Sequence, residues 1–431
     1  MNVKAKPRLN KAKVLSFIYP WRDSLGFYVS GIPIRLGELV LALFIPFAFC
    51  GKKRIKKSEI LIVVLLLLNL TLSICGLFIN SSNIDAGFAT KYIFRNLFYT
   101  FVIVGFLKTR MTLTEKNIDQ LMNYIVKLEF VMLVLVELTG FHFGIGGILG
   151  IDDILKTGQY VMIGSLRIVR FMGTASEAGY LVPIIIPPLY YYLNKYIKSA
   201  ESRNKTVWNI VLILICILFT NSSAMYCIAL GMIAYFLINN LKKRCTIDFF
   251  IIILGLCIIV PPIFARYASV FSVTVINKIN SFLGRGATFD WSSTDRIQHL
   301  ENAWNMFCNS NLFYKTIGNG TGAYYFHSKS QSGLLMNNVE EAYNLYLSTL
   351  TDRGILGLLI LISLFVFLRR KTIRNDMYSM SLFSGIVAQY IHWMLTGNMW
   401  VYFFWINVIF LISYYNYKKF NGVSITRDEG A

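Results

Sequence analysis

The sequence has few charged side chains for its length. Asp, Glu, Lys and Arg together make up 15% of 431 residues, whereas a soluble domain of this size carries about 25%. This shortage excludes an ordinary soluble fold, because the charges that are present stand in short clusters between long apolar runs. Hydrophobic residues account for 55% of the chain. The composition therefore indicates a polytopic membrane protein.

Sequence patterns for disulfide frameworks, metal sites and nucleotide sites are also missing. The chain has seven Cys and no CxxC, which excludes a disulfide scaffold, a structural zinc site and a redox motif. The four histidines share no ligand spacing: His142, His299, His327 and His392. The GNG sequence at 318–320 lacks the Lys-Ser/Thr of a phosphate loop, which disfavours an ATP-driven mechanism. We therefore expect neither a metal nor a cofactor.

The net charge of +20 does not indicate nucleic-acid binding. Lys and Arg stand beside apolar runs, where the cytoplasmic loops of membrane proteins carry them. The basic clusters lie at 52–57, 195–205, 242–244, 369–374 and 418–419. If all are cytoplasmic, an even number of crossings separates each pair, and both termini are cytoplasmic. The basic N-terminus precedes no small-residue cleavage site, so we interpret it as an uncleaved first loop.

Hydrophobic runs give the candidate membrane spans, since a crossing needs about 20 apolar residues. The runs are 36–50, 58–79, 92–108, 121–140, 176–195, 248–266, 341–368, 377–397 and 399–416. The run 208–241 is too long for one crossing, and its polar residues at 220–223 predict two. Parity of the basic clusters demands one more crossing near 14–31. We predict an all-α integral membrane protein with about twelve transmembrane helices.

This topology divides the chain into four parts. They are an N-terminal bundle of about nine spans (1–266), a large extracytoplasmic loop before the last three spans (267–340), a C-terminal three-span bundle (341–416) and a cytoplasmic tail (417–431). In the loop, Ser293 or Thr294 can cap a helix whose polar face carries His299 and whose apolar face carries Trp304. We expect this helix to lie on the membrane surface and cover a cavity.

Five arginines are predicted to lie outside the cytoplasm: Arg167, Arg170, Arg266, Arg285 and Arg296. The positive-inside bias makes each one unexpected, although a solvated loop charge or a headgroup contact is the simplest interpretation. Arginine binds phosphate through a planar fork of N–H groups. Arg170 opens a segment at the mouth of a span, and Arg296 opens the helix of the loop. Two guanidinium groups at one membrane mouth can hold the diphosphate of a lipid-linked substrate.

Carboxylates at predicted span ends are the candidates for proton transfer. Glu177 and Glu341 each lie where a span begins, and a carboxylate at that depth is a functional candidate unless it is paired or hydrated. The competing interpretation is an acid that stabilises a helix N-terminus. His327, in the long loop, is a weaker candidate. His392, inside a span, is more simply a satisfied core or cavity residue.

Three segments together resemble the O-antigen polymerase and O-antigen ligase superfamily over roughly residues 165–370. RFMGTASEAGY (170–180) is similar to its Arg-x-x-Gly…Glu segment, and DRIQHLENAWNMF…IGNGTGAY (295–324) to its Arg…Trp…Gly-x-Gly loop. YNLYLSTLTDRGILG (343–357) is similar to its His-Asn signature, in which nine residues precede Gly-x-x-Gly. TNSSAMYCIAL (220–230) resembles the Thr-x-Ser segment between spans.

The chain departs from the family pattern at two positions. Tyr343 stands where the signature has His, the residue proposed to be catalytic in ligases. Ser223 stands where an Arg often follows the Thr-x-Ser segment. Because polymerases vary more at these positions, the departures favour a polymerase over a ligase.

The resemblance implies an inverting, metal-independent membrane glycosyltransferase. It would join polyprenyl-diphosphate-linked oligosaccharide repeat units on the outer face of a bacterial cytoplasmic membrane, producing O-antigen, capsule or exopolysaccharide. The implied partners are those lipid-linked oligosaccharides, membrane lipids, and a chain-length regulator and a flippase, but no nucleic acid. Arg170 and Arg296 would stabilise the diphosphate leaving group and Glu177 or Glu341 would receive the acceptor proton. The remaining substrate-binding candidates are Arg167, Arg285, Tyr343, Asn344 and His327.

Three alternatives stay open at the level of sequence. A ligase would move a finished glycan to a lipid or protein acceptor. A flippase for lipid-linked oligosaccharides would place its polar residues on broken helices around a central cavity, whereas here they gather in one loop. In a scaffold membrane protein, that loop would have no function.

Overall fold

A computed structural model describes most of the chain. The described residues are 11–21, 23–29, 32–140, 160–163, 166–169, 171–175, 178–198, 203–220, 222–240, 291–331, 342–397 and 399–421. Within them the chain is mainly helical, which is consistent with the predicted all-α fold, and two short antiparallel hairpins accompany the helices. One hairpin pairs β1 (Gly26–Val29) with β2 (Ile32–Arg35), and the other pairs β3 (Tyr160–Ile163) with β4 (Leu166–Val169).

Outside the predicted loop 267–340, most of the described helices follow the hydrophobic runs. The first six are α1 (Lys11–Ile18), α2 (Leu36–Ala42), α3 (Ile45–Cys50), α4 (Ile60–Ile79), α5 (Ala86–Thr109) and α6 (Glu115–Thr139). Next come α7 (Val182–Lys198), α8 (Arg203–Phe219), α9 (Ser223–Asn240), α10 (Trp291–Asn309), α11 (Leu312–Ile317) and α12 (Ala323–Gln331). The last three are α13 (Leu345–Arg370), α14 (Met377–His392) and α15 (Tyr402–Phe420). The predicted break at 220–223 is confirmed by the boundary between α8 and α9.

The predicted crossing at 14–31 is wrong. Eight residues of α1 extend only about 12 Å, and Pro20 then lies in a short 3-10 turn before the first hairpin. Asp23 is fully buried and pairs with Arg35, with 3.2 Å between Oδ1 and Nε. The run 36–50 is likewise two short helices, α2 and α3, rather than one long span. The two basic clusters on either side, the N-terminus and 52–57, do not require either crossing. Without both crossings the number of spans between these clusters is zero, which is still even.

Two of the described helical segments are long and apolar enough to cross a membrane, by length and composition: Lys57–Ile79 and Leu345–Arg370. Both expose rows of large apolar side chains, such as Leu67 and Leu68 on the first and Leu359 and Ile362 on the second. Side chains of this kind suit lipid rather than water as the surroundings. Without the crossings at 14–31 and 36–50 the predicted count falls from twelve to ten, those ten stay a prediction, and the predicted span 248–266 lies outside the described residues.

The C-terminal helix α15 lies at the centre of the bundle. Its side chains from Tyr402 to Tyr414 are all buried, and it packs against α14, α7 and α5. A stack of aromatic rings joins it to α5: Trp405 lies 5.6 Å from Tyr99 and 5.7 Å from Trp400, measured between ring centroids. Helix α14 packs along α7. This core fixes the ends of α13 and α14, where the candidate site lies.

Candidate functional site

Helix α13 is broken at Gly354, and the glycine turn at 318–322 fits into the break. Gly354 has φ 64° and ψ −165°, which are not helical values. Asn319 N–H donates to the carbonyl of Thr351 (2.8 Å) and Gly320 N–H to that of Asp352 (3.0 Å). A Cβ atom on Gly354 would overlap the backbone oxygen of Thr316. Glycine is therefore required for the two backbones to approach this closely.

The carboxylate of Asp352 holds the beginning of α12. It is buried and accepts hydrogen bonds from the N–H groups of Gly322 (3.1 Å) and Tyr324 (3.2 Å). N–H groups in the first turn of a helix lack partners within the helix, and an acid there also interacts favourably with the helix dipole. An acid in α13 thus fixes a helix that follows the glycine turn.

His299, on α10, lies at the centre of a buried polar cluster. Its side chain is fully buried, and its Nδ1 lies 2.6 Å from the hydroxyl of Tyr324. That hydroxyl also contacts the carbonyl of His299 at 3.2 Å. The ring of Tyr343 lies 5.6 Å from the imidazole, between centroids. His299 therefore points into the protein, whereas Trp304 on the same helix is half exposed.

Tyr343 and Asn344 form the entry to α13. Tyr343 has φ 44°, an uncommon conformation for a residue other than glycine. Asn344 caps the helix, because its Oδ1 accepts from the N–H groups of Tyr346 (2.9 Å) and Leu347 (3.1 Å). Its Nδ2 donates to the carbonyl of Met394 at 3.1 Å. The Asn344 amide thus fixes the start of α13 against the residues that follow α14; its predicted substrate contact stays a prediction.

Residues 171–175, which follow Arg170, are anchored by a buried acid. Glu129 on α6 is fully buried; its Oε1 accepts from the Thr174 hydroxyl (2.6 Å) and its Oε2 from the Thr174 N–H (3.2 Å). Ser24 donates to the carbonyl of Thr174 (3.2 Å). Phe171 N–H donates to the carbonyl of Phe219, at the end of α8 (3.0 Å). These contacts hold residues 171–175 in place.

Two of the segments that carry the family resemblance meet at the C-terminal end of α14. Tyr180, from the first segment, packs its ring 5.9 Å from that of His392. One residue further, the carbonyl of Trp393 accepts from Leu345 N–H at 2.8 Å, at the beginning of the third segment. His392 is buried and its Nδ1 lies 3.4 Å from Gln389 Nε2, as expected for a satisfied core residue.

The structure describes only some of the predicted site residues. Arg170, Glu177, Arg285 and Glu341 lie outside the described residues. Arg167 lies in β4 and Arg296 in α10, and only their backbone is described. His327 lies on α12 and is half-buried. In the described part of the chain no group of three or more His, Cys, Asp or Glu side chains is placed to hold a metal ion.

Several buried polar residues near these segments were not predicted to be functional. Glu129, Asp352 and Arg353 are charged residues within apolar runs, and a charge at that position is a functional candidate by default. This signal was available in the sequence. From the sequence, His299 is expected on the polar face of a helix that lies on the membrane surface. Its burial depends on Tyr324 and Tyr343, which no local pattern reveals.

An ion pair attaches α12 to the beginning of α5. Lys329 Nζ lies 2.5 Å from Asp85 Oδ2, and Asp85 also caps α5 by accepting from Phe88 N–H. The bonds from Lys329 and from Phe88 lower the pKa of the Asp85 carboxyl. A lowered carboxyl pKa stabilises the folded state above the unfolded pKa of about 3.9. This stabilisation is therefore complete at neutral pH and is lost only as the pH falls through the lower folded pKa.

Asp85→Asn is expected to increase tryptic cleavage after Lys329 modestly at neutral pH. Asparagine still caps the helix, so the variant removes the ion pair alone, and exposed pairs contribute little. Glu301→Gln, which removes an exposed acid on α10, serves as the control. Equal cleavage rates in Asp85→Asn and wild type would contradict a role of this pair in holding α12.

Part of the chain is similar to a known protein family. Residues 208–362 match a family model described as O-Antigen ligase (Wzy_C). The matched region, less than half of the chain, runs from α8 into α13 and includes α10, the glycine turn and the break at Gly354. No curated protein matches the chain. The family match supports the resemblance of this region to the O-antigen polymerase and ligase superfamily.

Proposed function

We propose that this protein polymerises polyprenyl-diphosphate-linked oligosaccharide repeat units into a surface polysaccharide. The reaction would take place on the outer face of the bacterial cytoplasmic membrane. The observation that carries the proposal is the meeting of two family segments at the end of α14, with Tyr180 against His392 and Leu345 bound to Trp393. Residues distant in sequence can act on one substrate only if the fold brings them to one place.

The choice of a polymerase is supported by Tyr343. The family signature has a histidine at this position, and that histidine is the residue proposed to be catalytic in ligases. A tyrosine is a poor proton acceptor near neutral pH because its hydroxyl ionises near pH 10. A ligase is the second candidate function, favoured by the description of the family model.

The proposed chemistry uses the glycosyl-diphosphate bond as its energy source. Arg170 and Arg296 stabilise the leaving diphosphate, because fixed cations at developing negative charge lower the barrier. Arg167 and Arg285 assist them. Glu177 or Glu341 receives the proton of the acceptor hydroxyl as that oxygen attacks the anomeric carbon with inversion. No metal takes part in this proposal, and a chain-length regulator and a flippase act beside the enzyme.

The structure adds His299 as a third candidate for proton transfer. Imidazole exchanges protons near neutral pH, and the Tyr324 hydroxyl fixes the orientation of its ring through Nδ1. We expect His299→Gln to lower the polymerisation rate about 100-fold or more, the typical contribution of general acid–base catalysis. A residual rate that no longer follows the wild-type pH profile would identify proton transfer. An unchanged pH profile with a uniformly lower rate would assign His299 a structural role instead.

A deletion strain tests the function directly, through the sizes of its surface polysaccharide and lipid-linked intermediates. Loss of the long ladder, with single repeat units still transferred, is the result expected of a polymerase. Long lipid-linked polymer that accumulates without transfer would indicate a ligase. Repeat units trapped on the cytoplasmic face would indicate a flippase and would contradict catalysis by the loop.

In the complemented strain, Arg170→Lys and Arg296→Lys are expected to shorten the chains, because lysine keeps the charge but not the forked contact. Arg370→Lys, at the opposite end of α13 from Tyr343, is the matched control. Wild-type chain lengths in both test variants would refute the assignment of these arginines.

A further inference from the structure

The side chain of Arg353 is buried among neutral groups between α4, α5 and α13. It is 3% exposed. Nη1 donates to Asn69 Oδ1 at 2.8 Å and to the hydroxyl of Tyr92, and Nη2 donates to Thr349 Oγ1 at 2.8 Å. The guanidinium also lies over the Tyr92 ring, 5.0 Å from its centroid. Each of these groups is uncharged, so none compensates the positive charge.

No carboxylate among the described residues forms an ion pair with Arg353. Its neighbour Asp352 exerts an attraction through space, but both of its oxygens accept from backbone N–H groups of the glycine turn and α12. Removing a guanidinium from water without a contacting acceptor of opposite charge is costly. A buried arginine at membrane depth therefore calls for an acceptor that this part of the chain does not supply.

Arg353 and the helices packed beside it carry hydrogen-bond donors that have no partner. A guanidinium has five N–H donors, and the Nε–H of Arg353 is buried without a partner. Because arginine only donates, Asn69 must turn its Oδ1 toward it, and the Asn69 Nδ2 is left buried and unpaired. Asn96, one turn beyond Tyr92 on α5, has a second unpaired Nδ2 and is fully buried. Three buried donors thus lack acceptors on adjoining helices.

We propose that Arg353, Asn69 and Asn96 form an anion site for a phosphate or diphosphate group. Its oxygens accept from Arg353 Nε and from the two amides, since a phosphate offers several acceptors and suits the edge of a guanidinium. The site is distinct from the predicted diphosphate contacts at Arg170 and Arg296. The bound anion is either free phosphate or the headgroup of a prenyl diphosphate lipid. The lipid alternative rests on the proposed function, and the anion site itself does not.

The test is binding to the purified full-length protein in detergent micelles, measured by calorimetry. The probes are inorganic phosphate, inorganic diphosphate and farnesyl diphosphate, with farnesol as the uncharged match. Arg353→Gln is expected to weaken diphosphate binding about tenfold or more, and Arg353→Lys less, because lysine keeps the charge. Arg370→Gln removes an exposed arginine from the far end of the same helix and should bind as wild type does.

The probes also separate the two sources of the anion. Farnesyl diphosphate that binds at least about tenfold more tightly than diphosphate, while farnesol does not bind, identifies a lipid headgroup site. Equal affinities identify a free-anion site. The binding assay contains no acceptor glycan, so its result does not depend on the proposed function. If the purified protein binds the probes normally while the deletion strain keeps its polysaccharide ladder, the proposed function is refuted and the anion site is retained.

Two results would overturn the inference. One is wild-type affinity in Arg353→Gln, and the other is the absence of binding by any phosphate probe at millimolar concentration, which would mean that water satisfies the donors. If Arg353→Gln does not fold, the variant Asn96→Leu provides the test, because it removes the unpaired Nδ2 donor of Asn96 without touching the arginine. Weaker binding by a folded Asn96→Leu protein supports the site, and unchanged binding refutes it.

Discussion

Gly354→Ala is expected to reduce the amount of folded protein in the membrane several-fold and to lower its thermal midpoint in detergent. The residue has φ 64° and ψ −165°, a region that essentially only glycine occupies. Forcing another residue into it costs about 1–3 kcal/mol. The new methyl group would also overlap the backbone of Thr316 and Gly318, and overpacking adds about 1–3 kcal/mol. Together these costs are a large fraction of a typical stability of about 5–15 kcal/mol.

Gly231→Ala is the matched control for this substitution. Gly231 lies in α9, and a Cβ atom there would meet no other atom within 4 Å. Alanine in a helix is more favourable than glycine by up to about 1 kcal/mol, so this variant should be as stable as wild type or slightly more stable. A Gly354→Ala protein with the yield and midpoint of Gly231→Ala would show that the break in α13 is not needed for folding.

The positions of helices could be predicted from the sequence where they depend on the local pattern of apolar and polar residues. Apolar runs placed α4 and α13 to within a few residues, and the polar residues at 220–223 separated α8 from α9. The prediction of a crossing at 14–31 failed because it was based on the positions of the basic clusters in neighbouring loops rather than on the sequence of the segment itself. Pro20 interrupts the helix there, and the burial of Asp23 is compensated by Arg35, which lies twelve residues later in the chain.

The contacts of the candidate site join residues that are far apart in sequence, and this limits what the sequence could predict. Glu129 binds Thr174, and Asp352 binds the N–H groups of Gly322 and Tyr324. Each residue type was visible, but its partner depends on how helices pack. The family resemblance is supported by the match to residues 208–362, which covers three of its four segments and leaves 170–180 outside. It did not predict that the glycine turn fits into the break of α13.

The packing of the glycine turn at 318–322 into the break of α13 explains the spacing of residues in the family signature. In this chain the nine residues after Asn344 form two and a half turns of helix that end at Gly354. Asn344 fixes one end of this short helix to Met394, and the backbone of Thr351 and Asp352 fixes the other end to the glycine turn. The signature thus sets the distance between the end of α14 and the loop that carries α10 and α12.

Asp352→Ala is expected to release α12 and to abolish polymer formation. The substitution removes two hydrogen bonds to a buried carboxylate, and bonds to charged groups contribute about 1.5–3 kcal/mol each. A loss of about 3–6 kcal/mol follows, and the adjacent Arg353 loses its nearest negative charge as well. Asp352→Asn retains one acceptor oxygen and should lose about half as much. Hydrogen exchange, followed by mass spectrometry on peptides that cover residues 318–331, measures the release.

Glu301→Gln removes an exposed carboxylate from α10 and should leave both exchange and chain length unchanged. The three variants together separate a structural role of Asp352 from a purely electrostatic one. If the charge alone matters, Asp352→Asn will be as damaging as Asp352→Ala, because both are neutral. If the hydrogen bonds matter, Asp352→Asn will fall between wild type and Asp352→Ala in exchange rate and in chain length. Exchange at residues 318–331 that stays at the wild-type rate in Asp352→Ala would refute the view that this carboxylate holds the glycine turn and α12 against α13.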